Sequence, residues 1–216
     1  MVDFETFAAE FKALCDRNGI ALKGEHLQKF FVYLNELLRW NRVHNLTAVR
    51  NWREVLKRHF CDSLTLVKFF EAVGYPVEGK KLADVGSGAG FPGVPLQIYY
   101  GDALKVHLIE SVSKKCSFLT YLKGRLGVDY EVHCRKAEEL ELKVEVAVAR
   151  ALEVKGKKTD PVRYADGLLT KLATELAVIM KGRELDAAAV RELGYEVFEL
   201  DLPDFKGMKI LYKFLR

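Results

Sequence analysis

The sequence predicts an α/β fold, in which a seven-stranded, mostly parallel sheet carries helices on both faces and follows a small helical N-terminal segment. Up to about residue 73, apolar residues recur at intervals of three and four, as on one face of a helix. From residue 80 onward, short apolar runs alternate with helical stretches, which favours a parallel sheet. The last two strand-like runs have no helix between them, and we expect them to close the sheet as an antiparallel hairpin.

The N-terminal segment is expected to contain three amphipathic helices. Apolar residues at helical spacing indicate the first two, at Phe4, Phe7, Ala8, Phe11 and Leu14 and then at Leu27, Phe30, Phe31, Leu34, Leu37 and Leu38. A third helix is predicted over residues 52–70. Gly74, Pro76 and Gly79 then mark a boundary. We therefore divide the chain into a helical segment, 1–75, that packs on the core and a sheet domain, 76–216.

The sheet domain is expected to begin with five strands that alternate with helices. The strands are KLADVG at 81–86, KVHLIE at 105–110, EVHCRK at 131–136, EVAVAR at 145–150 and ELAVIM at 175–180. Helices are predicted at 93–100, 114–126 and 184–193. The runs YEVFELDL and GMKILYKFL supply the terminal hairpin.

Composition bounds the class of protein. The chain has 216 residues, of which 50% are hydrophobic, and a net charge of +4, which allows a polyanionic partner without requiring one. The four cysteines form no CxxC pair, so we expect buried, reduced thiols, with no disulfide framework and no metal site. We find no basic leader, no apolar run of membrane-spanning length and no dimerisation element, and we expect a soluble, cytoplasmic monomer.

The glycine-rich stretch LADVGSGAGFPG, residues 82–93, is the strongest functional signal. It follows a predicted strand and precedes a predicted helix, which is where doubly wound folds bind ligands. Gly88, Gly90 and Gly93 satisfy GxGxxG, and Glu110 stands about twenty residues further on, as in folds that bind NAD. An oxidoreductase using NAD is therefore one possible interpretation.

Two details favour S-adenosylmethionine as the ligand. Asp84, just before the glycines, would repel a pyrophosphate but attract a cationic amino group. Pro92 and Pro95 remove amide donors that a diphosphate would use at the helix start. In this interpretation Asp84 attracts the methionine end and Glu110 takes the ribose hydroxyls. Gly86, Ser87, Gly88, Gly90 and Ser111 complete the predicted cofactor set. The alternatives are that the glycines serve only the turn and that Glu110 only caps the next helix.

Several motifs in order resemble the glucose-inhibited division protein B family. They are WNRVHNLTAVR, RHFCDSL, DVGSGAGFPGVPL, IESVSKKCSFL, KAEEL and VAVARAL, within residues 35–152. The resemblance implies a class I methyltransferase that uses S-adenosylmethionine to methylate N7 of a guanine in 16S ribosomal RNA, in the small subunit or an assembly intermediate. After Leu152 the sequence departs from the family pattern, since EVKGKKTDPVRYADG replaces an apolar helix.

The resemblance also implies roles for individual residues. Gly86 and Phe91 contact the cofactor, Ala137 and Glu138 lie beside its adenine, and Arg150 lies at the edge of the active site. Guanine N7 carries a lone pair, so methylation needs orientation and a dry pocket but no general base. Arg150 is therefore our candidate catalytic residue, to stack on the guanine, hold its O6 or contact a phosphate. The alternative is a structural salt bridge.

RNA binding requires positive charge, and exposed bases also stack on aromatic rings. One stretch offers both, with Arg39, Trp40, Arg42, His44, Arg50, Trp52, Arg53, Lys57 and Arg58. We assign Arg39, Arg42, Arg53, Lys57 and Arg58 to RNA, together with Lys155, Lys157 and Lys158. The alternative is a solvated basic helix with its tryptophans in the core. Asn41, Asn45, His59, Asp62 and Ser63 are interpreted mainly as buried hydrogen-bonding residues.

A third interpretation is an RNA-binding protein that keeps the fold and has lost turnover. The divergent stretch after Leu152 is the reason to consider it.

Overall fold

The sheet has seven strands, as the sequence predicts. The computed structural model describes residues 2–150, 160–182 and 187–216. Its strands are β1 (Lys80–Val85), β2 (Leu104–Ile109), β3 (Glu131–His133), β4 (Val144–Arg150), β5 (Ala173–Lys181), β6 (Glu196–Glu199) and β7 (Lys209–Phe214). Their order is β3-β2-β1-β4-β5-β7-β6. Strands β1 to β5 are parallel, and β7 pairs antiparallel with both β5 and β6, which confirms the terminal hairpin.

The N-terminal segment is helical throughout its three predicted elements. They are α1 (Phe4–Arg17), α2 (Gly24–His44) and a continuous run composed of α3 (Trp52–Val55), a π-helical turn (Leu56–Cys61) and α4 (Asp62–Ala72). Asp3 caps α1, because its Oδ1 accepts from the Thr6 amide at 2.8 Å. The π-helical turn contains His59, and such turns are frequent at functional sites.

Within the described residues, four further α-helices accompany the sheet: α5 (Gly93–Tyr100), α6 (Ser113–Leu126), α7 (Pro161–Leu172) and α8 (Ala187–Glu192). The sequence prediction omitted α7. Asp160 caps it by accepting from the amides of Val162 and Arg163 at 2.9 and 3.0 Å, and Pro161 occupies its first turn. Its buried face comprises Val162, Ala165, Leu168, Leu169 and Leu172.

The N-terminal helices and the sheet share one hydrophobic core. Phe7 and Phe30 of the helices belong to the same buried cluster as Leu82 and Leu108 of the strands. Helix α2 packs on α5 and α6, while α7 covers the other face over β1, β4 and β5. Tyr33 ties α2 to the glycine loop. The boundary at residue 75 therefore stays a prediction, and it concerns the roles of the two parts rather than two separate cores.

The cysteines contradict one expectation. Cys15 and Cys61 are buried and free, as expected. Cys116 and Cys134, however, form a disulfide with Cα atoms 5.7 Å apart. Parallel strand order brings the end of β3 beside the first turn of α6, which joins residues far apart in sequence. No helix in the described part of the chain is long and apolar enough to cross a membrane.

Candidate functional site

A deep cleft lies at the carboxyl ends of β1, β2 and β4, where doubly wound sheets bind ligands. Its volume is about 620 Å³, within the range of small-molecule sites. Most of the predicted cofactor residues line it: Gly86, Ser87, Gly88, Phe91, Glu110, Ser111, Ala137, Glu138 and Arg150. The motifs that are scattered in sequence therefore converge on one cavity.

The glycine loop folds back over the end of β2. The amides of Gly86 and Ser87 donate to the Ile109 carbonyl at 2.9 and 3.0 Å. Gly86 and Gly88 have φ angles of 74° and 60°, in the left-handed region that favours glycine. The Gly88 amide donates to Oε2 of Glu110 at 2.8 Å. The backbone of this loop thus forms one wall of the cleft without side chains in the way.

Glu110 is a fixed acceptor on that wall. Its Oε1 accepts from the Val112 amide at 2.8 Å while Oε2 binds Gly88, and its side chain is buried. Each carboxylate oxygen has a further lone pair, which is free in principle to accept from a ligand hydroxyl. Because Val112 immediately precedes α6, Glu110 also stabilises the start of that helix. The cofactor role and the structural role expected for this position are therefore compatible.

Asp84 and Gly90 do not line the cleft. Asp84 lies fully buried beneath the loop, where its Oδ2 accepts from the Gly93 amide at 2.8 Å. No described residue hydrogen-bonds its Oδ1. Burial raises the pKa of Asp84 to about 7. A Cβ on Gly90 would lie 2.6 Å from Oη of Tyr33, so that glycine permits close packing of the N-terminal helices.

Arg150 joins the sheet to the π-helical turn. Its Nη1 donates to Oδ2 of Asp62 at 2.9 Å and to the Arg58 carbonyl at 3.1 Å. Its Nη2 contacts Nδ1 of His59 at 3.0 Å. The guanidinium also lies 5.3 Å from the centre of the Phe91 ring. Arg150 therefore forms the structural salt bridge considered as the alternative, and it lines the cleft as well.

His59 makes polar contacts through both ring nitrogens. Its Nδ1 lies 3.0 Å from Nη2 of Arg150, which can only donate, and 3.1 Å from the Arg58 carbonyl, which can only accept. Its Nε2 lies 2.8 Å from Oγ1 of Thr47. Burial, and then the charge of Arg150, lowers the pKa of His59 to about 4. The ring stacks on Phe91, with ring centres 4.5 Å apart.

The polar residues of the N-terminal motifs hold this arrangement together. Oδ1 of Asn41 accepts from the Thr47 amide at 2.9 Å, and Oγ of Ser63 donates to the His59 carbonyl at 2.6 Å. Burial raises the pKa of Asp62, and the charge of Arg150 opposes that effect. This network connects α2, α4 and β4.

The described residues assigned to RNA are exposed, and four of these five are paired with carboxylates. Arg39 pairs with Glu36, Arg53 with Glu10, Lys57 with Asp204 and Arg58 with Glu54, whereas Arg42 has no ion pair among the described residues. Trp40 and Trp52 are half-buried against the core. Lys155, Lys157 and Lys158 lie outside the described residues.

Sequence reasoning missed part of the cleft lining. Thr47, Lys115, Arg135, Lys136 and Tyr164 line it but were not assigned to it. Thr47, Lys115 and Lys136 lie within the quoted motifs, and that position was the signal that could have placed them at the site. Tyr164 lies on α7, the helix that the prediction omitted.

Comparison with known proteins identifies close relatives. The family model described as rRNA small subunit methyltransferase G matches residues 26–193. The chain is 46% identical over 202 residues to "Ribosomal RNA small subunit methyltransferase G" of Aquifex aeolicus (strain VF5), covering 94% of this chain and 98% of that protein. It is 41% identical over 121 residues to the protein of that name from Desulfitobacterium hafniense (strain Y51), covering 55% of this chain and 47% of the relative.

Solved structures share the fold at low sequence identity. Magnesium protoporphyrin IX methyltransferase from Synechocystis PCC 6803, with bound SAM, has a TM-score of 0.59 at 15% identity, covering 91% of this chain and 99% of that one. The T. thermophilus 16S rRNA N2 G1207 methyltransferase, in complex with AdoMet and guanosine, has a TM-score of 0.55 at 17% identity, covering 72% and 43%. The predicted fold class is therefore confirmed.

Proposed function

The chain belongs to the GidB family of rRNA small subunit methyltransferase G proteins, and on that premise we propose that it methylates N7 of a guanine in 16S ribosomal RNA, using S-adenosylmethionine. The observation that carries the proposal is the convergence of the family motifs on one cleft at the carboxyl ends of β1, β2 and β4. The substrate is the small ribosomal subunit or an assembly intermediate, and the enzyme acts as a monomer in the cytoplasm.

The donor set of the cleft fits the cofactor. The carboxylate of Glu110, already fixed by two amides, accepts from the ribose hydroxyls. The loop from Gly86 to Gly88 presents backbone to the methionine end, and Ala137 and Glu138 bound the adenine. Asp84 supports the loop from beneath, where its Oδ2 accepts from the Gly93 amide. When bound, S-adenosylmethionine supplies a methyl group on a positively charged sulfur, which a nitrogen lone pair accepts without a general base.

The Arg150 cluster orients the base. Arg150 donates to O6 of the guanine, and its pairing with Asp62 keeps the guanidinium in one position. The guanine gains a positive charge when N7 is methylated. Because Asp62 balances the charge of Arg150, the site repels the positively charged methylguanine less than an isolated guanidinium would. His59, neutral and stacked on Phe91, supports the same geometry.

The basic residues of the N-terminal segment contact the RNA backbone, together with the lysines at 155, 157 and 158. Among the four that form ion pairs, Arg58 has the most accessible side chain, at 64% exposed, and its pair with Glu54 is long at 3.9 Å. Exposed pairs of this kind contribute little to stability, so phosphates displace them readily.

The test of function is methyl transfer from labelled S-adenosylmethionine to small ribosomal subunits that lack the modification, followed by digestion and mass spectrometry. We expect N7-methylguanosine at one position. Arg150→Ala should abolish transfer while S-adenosylhomocysteine binding, measured by calorimetry, stays within a few-fold of normal. Arg191→Ala, an exposed change on α8, is the matched control. Full activity of Arg150→Ala would contradict the assigned role.

The alternatives give different results in the same experiments. A protein that binds S-adenosylhomocysteine and RNA without transferring label would be the non-catalytic one. Binding of NADH in place of S-adenosylhomocysteine would identify an oxidoreductase.

For the RNA surface, Arg58→Gln should reduce the salt dependence of RNA binding by about one phosphate contact. Lys81→Gln, at the opposite end of β1, should leave it unchanged.

A further inference from the structure

Two histidines and a glutamate lie together at the β2–β3 edge of the sheet, outside the cofactor cleft. The parallel register sets His107 of β2 beside Glu131 of β3, and sets Ile109 beside His133. Because residues two apart on a strand point to the same face, His107, Glu131 and His133 share one face. It is the face covered by α7, since His107 also pairs with Ala83 of the cluster beneath that helix.

Three ligand-type atoms converge there. Nδ1 of His107 lies 3.0 Å from Nε2 of His133 and 3.4 Å from Oε2 of Glu131. Nε2 of His133 lies 3.8 Å from the same carboxylate oxygen. Around a tetrahedral cation with bonds of about 2.0–2.1 Å, neighbouring ligand atoms lie about 3.3 Å apart. The three observed separations bracket that value, so one cation can be reached by all three atoms with little movement.

The surroundings direct these atoms toward a common point. Oε1 of Glu131 is occupied by Nζ of Lys105 at 2.9 Å, which leaves Oε2 to face the two histidines. The ring of His107 is buried, and its Nε2 has no hydrogen-bond partner among the described residues. The polar contacts of that ring therefore run through Nδ1, to His133 and Glu131. The Glu131 side chain is 44% exposed, which leaves a solvent side for entry and for a fourth, water ligand.

We propose that His107, Glu131 and His133 form a binding site for a divalent transition-metal ion, with Zn²⁺ as the ion best matched to two imidazoles, one carboxylate and a water. The set is distinct from the proposed methyl-transfer site, because none of the three side chains lines the cleft.

The position indicates a structural role for the ion. Strand β3 has three residues and lies at the edge of the sheet. Both liganded strands lead into the wall of the cleft: His107 precedes Glu110 by three residues, and His133 precedes Arg135 by two. An ion that joins β2 to β3 would hold these two parts of the wall at a fixed separation.

The test uses tag-free, full-length protein dialysed against a chelator and then titrated with Co²⁺. Tetrahedral Co²⁺ gives strong visible absorption, and Zn²⁺ should displace it. We expect one ion per chain and a higher unfolding temperature with Zn²⁺. Glu131→Gln keeps the size and shape of the side chain at a half-exposed position and should weaken metal binding at least tenfold. His133→Gln should weaken it to a similar extent. His44→Gln, on α2, is the control and should bind as the unmodified chain does.

Three outcomes would overturn the proposal. The first is the absence of saturable binding of Co²⁺ or Zn²⁺. The second is an octahedral Co²⁺ spectrum together with an unchanged affinity in Glu131→Gln. The third is a Zn²⁺-dependent rise in unfolding temperature that Glu131→Gln and His133→Gln both retain. None of these measurements requires methyl transfer, so failure here leaves the proposed function untouched.

Discussion

Replacing Asp84 with asparagine should change how stability depends on pH. The pKa of Asp84 is raised by burial from 3.8 to about 7 in the folded chain. Between these values the folded state holds a proton that the unfolded state has released, so stability falls as pH rises through this window. A difference of about three pH units corresponds to about 4 kcal/mol of unfolding free energy at 1.36 kcal/mol per unit. Asparagine keeps an acceptor for the Gly93 amide but carries no charge.

The assay is urea unfolding at several pH values from 4 to 8, for the unmodified chain and for Asp84→Asn. The variant should gain stability relative to the unmodified chain as pH rises, by about 4 kcal/mol over the whole window. Asp102→Asn, an exposed change between α5 and β2, is the control for removal of a negative charge. Parallel pH curves for Asp84→Asn and the unmodified chain would refute the inference that the buried carboxyl carries a proton near neutrality.

Four further substitutions, one of them a control, test the packing around the glycine loop and the disulfide. Gly93→Ala places a Cβ 2.4 Å from a Leu108 methyl carbon and should lower the unfolding free energy by about 1–3 kcal/mol. Its control, Gly124→Ala, lies in open space on α6 and should raise the unfolding free energy by about 0.5–1 kcal/mol. Equal effects of the two substitutions in thermal unfolding would contradict this reasoning. Tyr33→Phe removes the donor to the Ala89 carbonyl at 2.6 Å and should cost about 1–3 kcal/mol, and a neutral result in urea would show that water replaces it. Cys134→Ser opens a disulfide with a sequence separation of 18 and should cost about 3 kcal/mol; unchanged unfolding under non-reducing conditions would argue against the bond.

The sequence predicted the elements whose signals are local. A strand, a glycine loop and a helix follow one another between residues 80 and 100, and hydrophobic spacing with turn residues is enough to place them. The omission of α7 was avoidable, because Asp160 and Pro161 are a helix-start signal and the apolar residues after them have helical spacing.

Contacts between distant segments were beyond sequence reasoning. Arg150 and Asp62 are 88 residues apart, so nothing local indicates that they pair. The disulfide and the contact between the β2 and β3 histidines escape prediction for the same reason, since both depend on which strands become neighbours. For Trp40 and Trp52 the sequence allowed two alternatives, stacking on bases and packing in the core, and their half-buried positions follow from how α2 and α3 pack.

The π-helical turn from Leu56 to Cys61 has a consequence for the evolution of the chain. Such a turn holds one residue more than an α-helix would, so losing a single residue there would restore regular geometry and favour the helix itself. Because the turn already absorbs that residue, the deletion would leave the helices on either side facing as they do now, but it would narrow the turn that presents the Arg58 carbonyl and His59 to Arg150. A shorter, more regular helix and an intact polar cluster are therefore competing alternatives. Natural variants that lack one residue between positions 56 and 61 should keep the fold while losing the contacts of Arg150 with Arg58 and His59.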